Sequence, residues 1–248
     1  MKLSLLICSI NKRKKMLERL LNVLEKQKTD EVEILTNIDD GKKKIGTKRN
    51  ELLEMAKGDY VAFIDDDDLV FDKYIKLILQ ALEEEPDCVG FKGKLTRDGS
   101  HVGIFTHSIK YKKWFQKGKE YYRCPNHLNP IRKDLALKVK FPNKNWGEDR
   151  DYSVGLRSYL KKEVFIDQIL YYYLFISKGK NKGFKRVPVK RRRIIKKKES
   201  INRKERIKNK VDEIKQNETS PKSTGTKTKR KIKPHERVIK RKFIKKER

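Results

Sequence analysis

An α/β fold with a mixed, mainly parallel sheet flanked by helices is predicted by three observations. Apolar runs of strand length alternate with helical patterns three times between Leu3 and Leu82. Three such units in succession imply parallel strands joined by right-handed crossovers. A polar loop follows each strand, so the unusual residues gather on the rim where open sheets of this kind bind ligands.

The elements follow in order. Residues 3–7 (LSLLI) form a short apolar run, residues 9–15 are polar, and Met16, Leu17, Leu20, Leu21 and Leu24 recur at helical spacing. Residues 32–35 read as a second strand, residues 37–46 as a polar loop, and residues 48–56 as a helix with Leu52, Leu53 and Ala56 on one face. Gly58 reads as its end. Residues 60–64 form a third strand, and Tyr74, Ile75, Ile78, Leu79 and Leu82 mark a further helix. Beyond Glu85 the pattern loosens. Residues 89–95 read as a strand, Arg97-Asp98-Gly99-Ser100 as a hairpin turn, and residues 104–122 as mixed strand and loop rich in aromatics. Residues 128–131 read as a strand, residues 133–138 as a short helix, and residues 143–147 as a loop. Glu148-Asp149-Arg150-Asp151 opens a helix, and residues 164–166 and 169–174 read as two closing strands.

Charge divides the 248 residues into a body, 1–176, and a tail, 177–248. About 31 of the 65 basic residues but only about 7 of the 34 acidic ones lie after Ile176, so the body carries about +7 and the tail about +24. The tail has neither Trp nor Tyr and few large apolar residues. Such a segment buries too little surface to offset its chain entropy, and it reads as disordered or partly helical. Cys8, Cys88 and Cys124 are odd in number and widely spaced, which fits reduced thiols in a cytoplasmic protein. No apolar segment is long enough for a membrane span, and the first apolar run is too short for a secretory signal.

The third strand delivers Asp65, Asp66, Asp67 and Asp68 to one point. Four adjacent like charges cannot all be stably buried, so the cluster indicates a bound cation or a functional cleft; an acidic turn solvated at a strand end is the plainer reading.

Several motifs in this order resemble the nucleotide-sugar-dependent glycosyltransferases of family 2, with the GT-A fold. They are Leu5-Leu6-Ile7-Cys8-Ser9, Ile38-Asp39-Asp40-Gly41, Lys48-Arg49-Asn50, the stretch 63–68 and Trp146-Gly147-Glu148-Asp149, and the likeness covers most of residues 1–176. The resemblance implies that Asp39 lies near the base of the nucleotide and that Arg49 and Asn50 shape its pocket, with Ser9 on the same rim. It implies that Asp65 and Asp67 are the acids of the DXD motif, the first meeting the ribose side and the last a Mn2+ or Mg2+ ion. Asp66 and Asp68 leave that register open by one residue, so Asp66 stands with the nucleotide contacts and Asp68 with the metal ligands. Asp149 matches the general base of inverting members, with Glu148 as its partner. A UDP-sugar is the first donor so implied, and the acceptor is open.

The chemistry of the residues agrees with those roles. A departing nucleoside diphosphate develops charge on its phosphate oxygens, which a hard cation held by carboxylates offsets. The acceptor hydroxyl must lose a proton as it attacks, which a carboxylate within hydrogen-bond reach provides. Acids at a helix start are also favoured by the helix dipole alone, so Glu148 and Asp149 have a structural reading too. His101, His107 and His127 lack zinc-site spacing; His127 could line an acceptor pocket or be structural, and Trp114 and Trp146 could stack on sugar or base or belong to the core. The segment from Asp65 lacks the EF-hand glycine, and neither a Walker A sequence nor GxGxxG occurs.

In the tail, Lys190-Arg191-Arg192-Arg193, Lys196-Lys197-Lys198, Lys229-Arg230-Lys231 and Lys240-Arg241-Lys242 would attract a polyanion, nucleic acid first and an anionic membrane face second. The competing overall reading is a polyanion- or nucleic-acid-binding protein whose GT-A-like body is catalytically inactive.

Overall fold

The computed structural model describes residues 1–177; the basic tail lies otherwise outside the described residues. Strand β1 (Leu3–Ile10) leads through a 3-10 turn (Asn11–Arg13) into α1 (Lys14–Glu25), then β2 (Val32–Asp39), α2 (Ile45–Met55), β3 (Tyr60–Phe63), the two-residue β4 (Leu69–Val70) and α3 (Tyr74–Leu82). The second half holds β5 (Cys88–Arg97), β6 (Ser100–His107), β7 (Phe115–Lys117), β8 (Glu120–Arg123), β9 (Ile131–Arg132), α4 (Lys133–Leu137), α5 (Glu148–Leu156) and β10 (Glu163–Phe175).

One mixed sheet runs in the order β2-β1-β3-β9-β5-β6-β8-β7, with β10 pairing β5 and β4. β1 pairs in parallel with β2 and β3, and β5 with β10, while β9 joins the two halves by antiparallel bonds. Both faces of β1 and β3 are covered, which is why these strands are apolar at nearly every position, whereas the edge strand β2 carries polar residues at half of its positions. Leu3, Leu5 and Ile7 of β1 and Tyr60 and Ala62 of β3 pack with α1 and α3 through Leu17, Leu20, Leu24, Ile75 and Ile78. Leu6, Val61 and Phe63 point the other way, into a second core with Leu52, Leu53, Leu135, Phe141, Tyr152 and Leu156. At Gly58 an added Cβ would stand 2.6 Å from the backbone nitrogen of Ser4, so this glycine permits close approach of the chain to β1.

The hairpin turn between β5 and β6 forms as expected. Arg97 pairs with Ser100, and Asp98 and Gly99 have φ of 52° and 83°, the two left-handed residues of a type I′ turn. Other expectations are corrected. Ser9 and Asp39 belong to strand ends, not to the loops beyond them. Only Ile131–Arg132 pairs as β9, because Leu128 and Asn129 lie in a turn in which Asn129 N–H donates to Asn126 O (3.1 Å). The two closing strands are one, β10, with register shifts between Ile166 and Tyr171 that mimic a break in the sequence pattern.

Candidate functional site

The carboxyl ends of β1, β2 and β3 carry one hydrogen-bonded group. Ser9 Oγ donates to Asp66 Oδ2 (2.6 Å), and the buried Lys48 Nζ donates to Asp39 Oδ1 (2.6 Å) and to Ser9 O. The other Asp39 oxygen accepts the Lys43 backbone N–H (2.9 Å). Those two bonds, Lys48 first, hold the Asp39 carboxyl down at about 2. Within the Lys48-Arg49-Asn50 motif, Lys48 received no role of its own from the sequence, because it stands in a lysine-rich stretch.

The four aspartates separate by environment. Asp66 and Asp68 are each 2 % exposed, whereas the side chains of Asp65 and Asp67 are 32 % and 38 % exposed. Asp66 also meets Arg13 Nη2 at 3.2 Å, and the same guanidinium reaches Asp67 Oδ2. Asp68, expected among the metal ligands, has both oxygens engaged by β10: Tyr171 Oη donates to one (2.8 Å) and Leu174 N–H to the other (2.7 Å). Burial, then the charges of Asp65 and Asp67, push its pKa well up. Tyr171 Oη in turn accepts the Asp65 backbone N–H (3.1 Å), so β10 fixes the aspartate turn at two points.

Arg49 is the hub of the second group. Its buried guanidinium donates to Glu148 Oε1 (2.6 Å) and Asp65 Oδ1 (3.1 Å), and its Cζ lies 5.7 Å and 5.5 Å from the ring centroids of Phe63 and Phe141. Asn50, expected at the nucleotide pocket, exchanges two 2.9 Å hydrogen bonds with the Phe141 backbone and so pins the chain that leads to α5. Gly147, with φ of 73°, turns that chain so that Glu148 and Asp149 open α5. Glu148 is buried against Arg49; the half-buried Asp149 carboxylate has no hydrogen bond or ion pair among the described residues.

Residues 124–130 run along β3, where Phe63 N–H donates to His127 O (2.8 Å). This brings the buried His127 ring to Asp65, with Nε2 3.6 Å from Oδ2, too long for a hydrogen bond. Neither nitrogen of this ring has a hydrogen-bond partner among the described residues. Burial raises the Asp65 pKa, but His127 and then Arg49 outweigh it and hold the carboxyl well below the usual range. Asp65, Arg49, His127, Glu148 and Asp149 line a cavity of about 560 Å³, walled further by β5, β6, β8 and the end of β10. Trp146, 89 % exposed, also borders it.

Among the described residues no three His, Cys, Asp or Glu side chains converge as a complete metal site. A magnesium-like ion in a phosphate-binding site needs only one or two carboxylates, the substrate phosphates supplying the rest. Asp65 and Asp67, paired with Arg49 and Arg13 but partly exposed on one turn, fit that requirement; Asp66 and Asp68 are buried and engaged within the protein.

Comparison with known proteins bears on the family and the fold. The family model described as glycosyl transferase family 2 matches residues 39–164. Among solved structures, a 1–349 fragment of Staphylococcus aureus TarS is similar at 20 % identity with a TM-score of 0.55, covering 70 % of this chain and 60 % of that one. The same fragment in complex with UDP-GlcNAc matches at 18 % identity and a TM-score of 0.55, over 74 % of this chain and 60 % of that one. Its complex with UDP matches at 19 % and 0.53, over 70 % and 60 %. The chain thus spans less than two thirds of these fragments, and at such identities the likeness shows the GT-A fold alone. No curated protein matches by sequence.

Proposed function

The chain belongs to glycosyl transferase family 2, and from that premise we propose that it transfers a sugar from a nucleoside-diphosphate donor to an acceptor hydroxyl, inverting the anomeric carbon. A UDP-sugar is the first donor to consider, since TarS binds UDP and UDP-GlcNAc on a similar fold. The observation that carries the reading is the unpaired Asp149 carboxylate facing the same cavity as Asp65, while its neighbour Glu148 is tied to Arg49.

In this reading Asp149 takes the proton of the acceptor hydroxyl as its oxygen bonds to the anomeric carbon. The bond from that carbon to the diphosphate breaks on the opposite face, and the nucleoside diphosphate departs. Glu148 holds Arg49, and Arg49 holds Asp65, so the base and the donor-side acid are kept in register. Asp39 and Ser9 border the nucleotide, and Lys48 fixes both. Asp65 and Asp67 would hold Mn2+ or Mg2+, which neutralises charge on the leaving diphosphate. For the Lys/Arg-rich segment beyond residue 177 we propose a polyanion contact, nucleic acid first, supported by its charge alone. The three free thiols fit a reducing, cytoplasmic setting.

The test is Asp149→Asn. Transfer should fall by about 10²–10⁴-fold, the usual worth of a positioned general base, with donor affinity within about twofold of the parent, less than half a kcal/mol. Full transfer activity in this variant would remove Asp149 from the base role.

A further inference from the structure

Part of the cavity wall consists of hydrogen-bond donors with no protein acceptor among the described residues. Arg123, the last residue of β8, is half-buried with its guanidinium carbon 4.5 Å from the centroid of Trp114. It has no ion pair or side-chain hydrogen bond among the described residues. Trp114 Nε1 is buried without an acceptor. Arg97, the last residue of β5, lies over Phe175 at 5.4 Å and likewise has no carboxylate in ion-pair range. All three residues line the cavity that holds Asp149.

The acids of that cavity do not complete these groups. Asp65 and Glu148 are paired with Arg49. Asp149 acts on Arg123 through its charge, but the two are not in ion-pair contact, and burial still depresses the Arg123 pKa. A desolvated guanidinium without a counter-ion is costly in a resting protein, and stacking on an aromatic face leaves its edge N–H groups free for a planar or tetrahedral oxyanion. The position is rigid as well, because Arg123 pairs with His107 in the sheet and its carbonyl accepts Ser108 N–H at 3.0 Å. The donor diphosphate does not account for this charge. It belongs with Asp65 and Asp67, whereas Arg123 and Trp114 come from β8 and the segment before β7, on the side of Asp149.

We propose that Arg123, Arg97 and the indole N–H of Trp114 form an oxyanion subsite beside Asp149, and that the acceptor carries a phosphate or carboxylate near the hydroxyl that is glycosylated. The acceptor role rests on the transferase reading; the anion site itself does not.

The chain has two tryptophans, so Trp146→Phe makes Trp114 a sole reporter in the full-length protein. Its emission is followed during titration with inorganic phosphate, glycerol 3-phosphate and acetate, with and without UDP and Mn2+. A saturable change is expected, weakened about 10- to 100-fold by an added Arg123→Gln, the usual worth of a hydrogen bond to a charged group. Arg97→Gln, at an exposed position where folding is not at stake, should weaken it by a smaller factor. The phosphate and acetate arms separate the two oxyanion types. In parallel, transfer is compared among glucose, glucose 6-phosphate and glucuronate. An anionic acceptor should have the lowest KM, and Arg123→Gln should raise that KM far more than it lowers kcat. No saturable response, or equal affinity in both arginine variants, overturns the subsite. Donor turnover with no preference for anionic acceptors overturns the acceptor role and leaves the transferase reading intact. Failure to bind any nucleotide sugar, with the phosphate response present, overturns the transferase reading and the acceptor role together.

Discussion

Replacing Arg49 with Ala should destabilise the body more than almost any other single change to a charged residue. The side chain is buried, donates to both Glu148 and Asp65, and packs against the rings of Phe63 and Phe141. Its removal leaves Glu148 buried with no counter-ion. Breaking a buried pair in this way costs about 3–5 kcal/mol, mostly the penalty of the stranded charge. For a domain of this size that is roughly 6–20 °C in Tm, at about 2–4 °C per kcal/mol. Urea unfolding of Arg49→Ala, Glu148→Gln and the double variant forms a cycle that isolates the pair. With Glu148 already neutral, Arg49→Ala should cost at least about 1 kcal/mol less than it does alone. A loss below about 1 kcal/mol for Arg49→Ala, the range of a surface ion pair, or strict additivity in the cycle would refute the claim that Arg49 anchors the site.

Two further outcomes follow from the same structure. His107 is buried, bonded through Nδ1 to Asn129 Oδ1 (3.0 Å), and its pKa is lowered from 6.5 to about 3, mainly by burial. The unfolded chain therefore takes up a proton that the folded chain refuses as pH falls below about 6.5. The stability due to neutral His107 is present above that pH and is lost progressively towards about pH 3. Between pH 6.5 and 5 the loss should be about 1.5 kcal/mol by urea unfolding, and His107→Gln should remove that part of the slope. Truncation belongs after Ser177 rather than Ile176, because Ser177 N–H and Oγ hold Asp98 at the β5–β6 turn. The shortened chain should keep donor turnover and lose salt-sensitive nucleic-acid binding; unchanged binding in a filter or polarisation assay would take that role from the tail.

The first half of the fold was legible because β1 and β3 are buried on both faces and the helices bury one stripe. Continuous runs such as Tyr60–Phe63 and the spacing of Tyr74, Ile75, Ile78 and Leu82 report those environments directly. The region from Gly99 to Pro130 was not. Its short strands β7 and β8 are held by a cluster of Tyr111, Phe115 and Tyr122, with centroids 4.9–5.8 Å apart, and not by a periodic pattern. The acids of the site stood out as motifs. Their basic partners stood out less, since Lys48 received no role of its own and Arg49 only a place in the nucleotide pocket through the resemblance; their bonds to Asp39 and Glu148, the latter 99 residues from Arg49, appear only in the fold. Arg13 and Arg123 were hidden for the same reason. Which aspartate of a run of four is buried depends on Tyr171 and Leu174, more than 100 residues away.

The most direct measurement is calorimetric binding of UDP-, GDP-, CMP- and dTDP-sugars with Mn2+, with Mg2+ and in excess chelator, for the parent chain and Asp67→Ala. The account predicts that one donor binds, that chelator weakens it, and that Asp67→Ala removes the metal dependence. Binding of none of them, or binding of one that neither chelator nor Asp67→Ala alters, would contradict a metal-assisted nucleotide-sugar site on this rim.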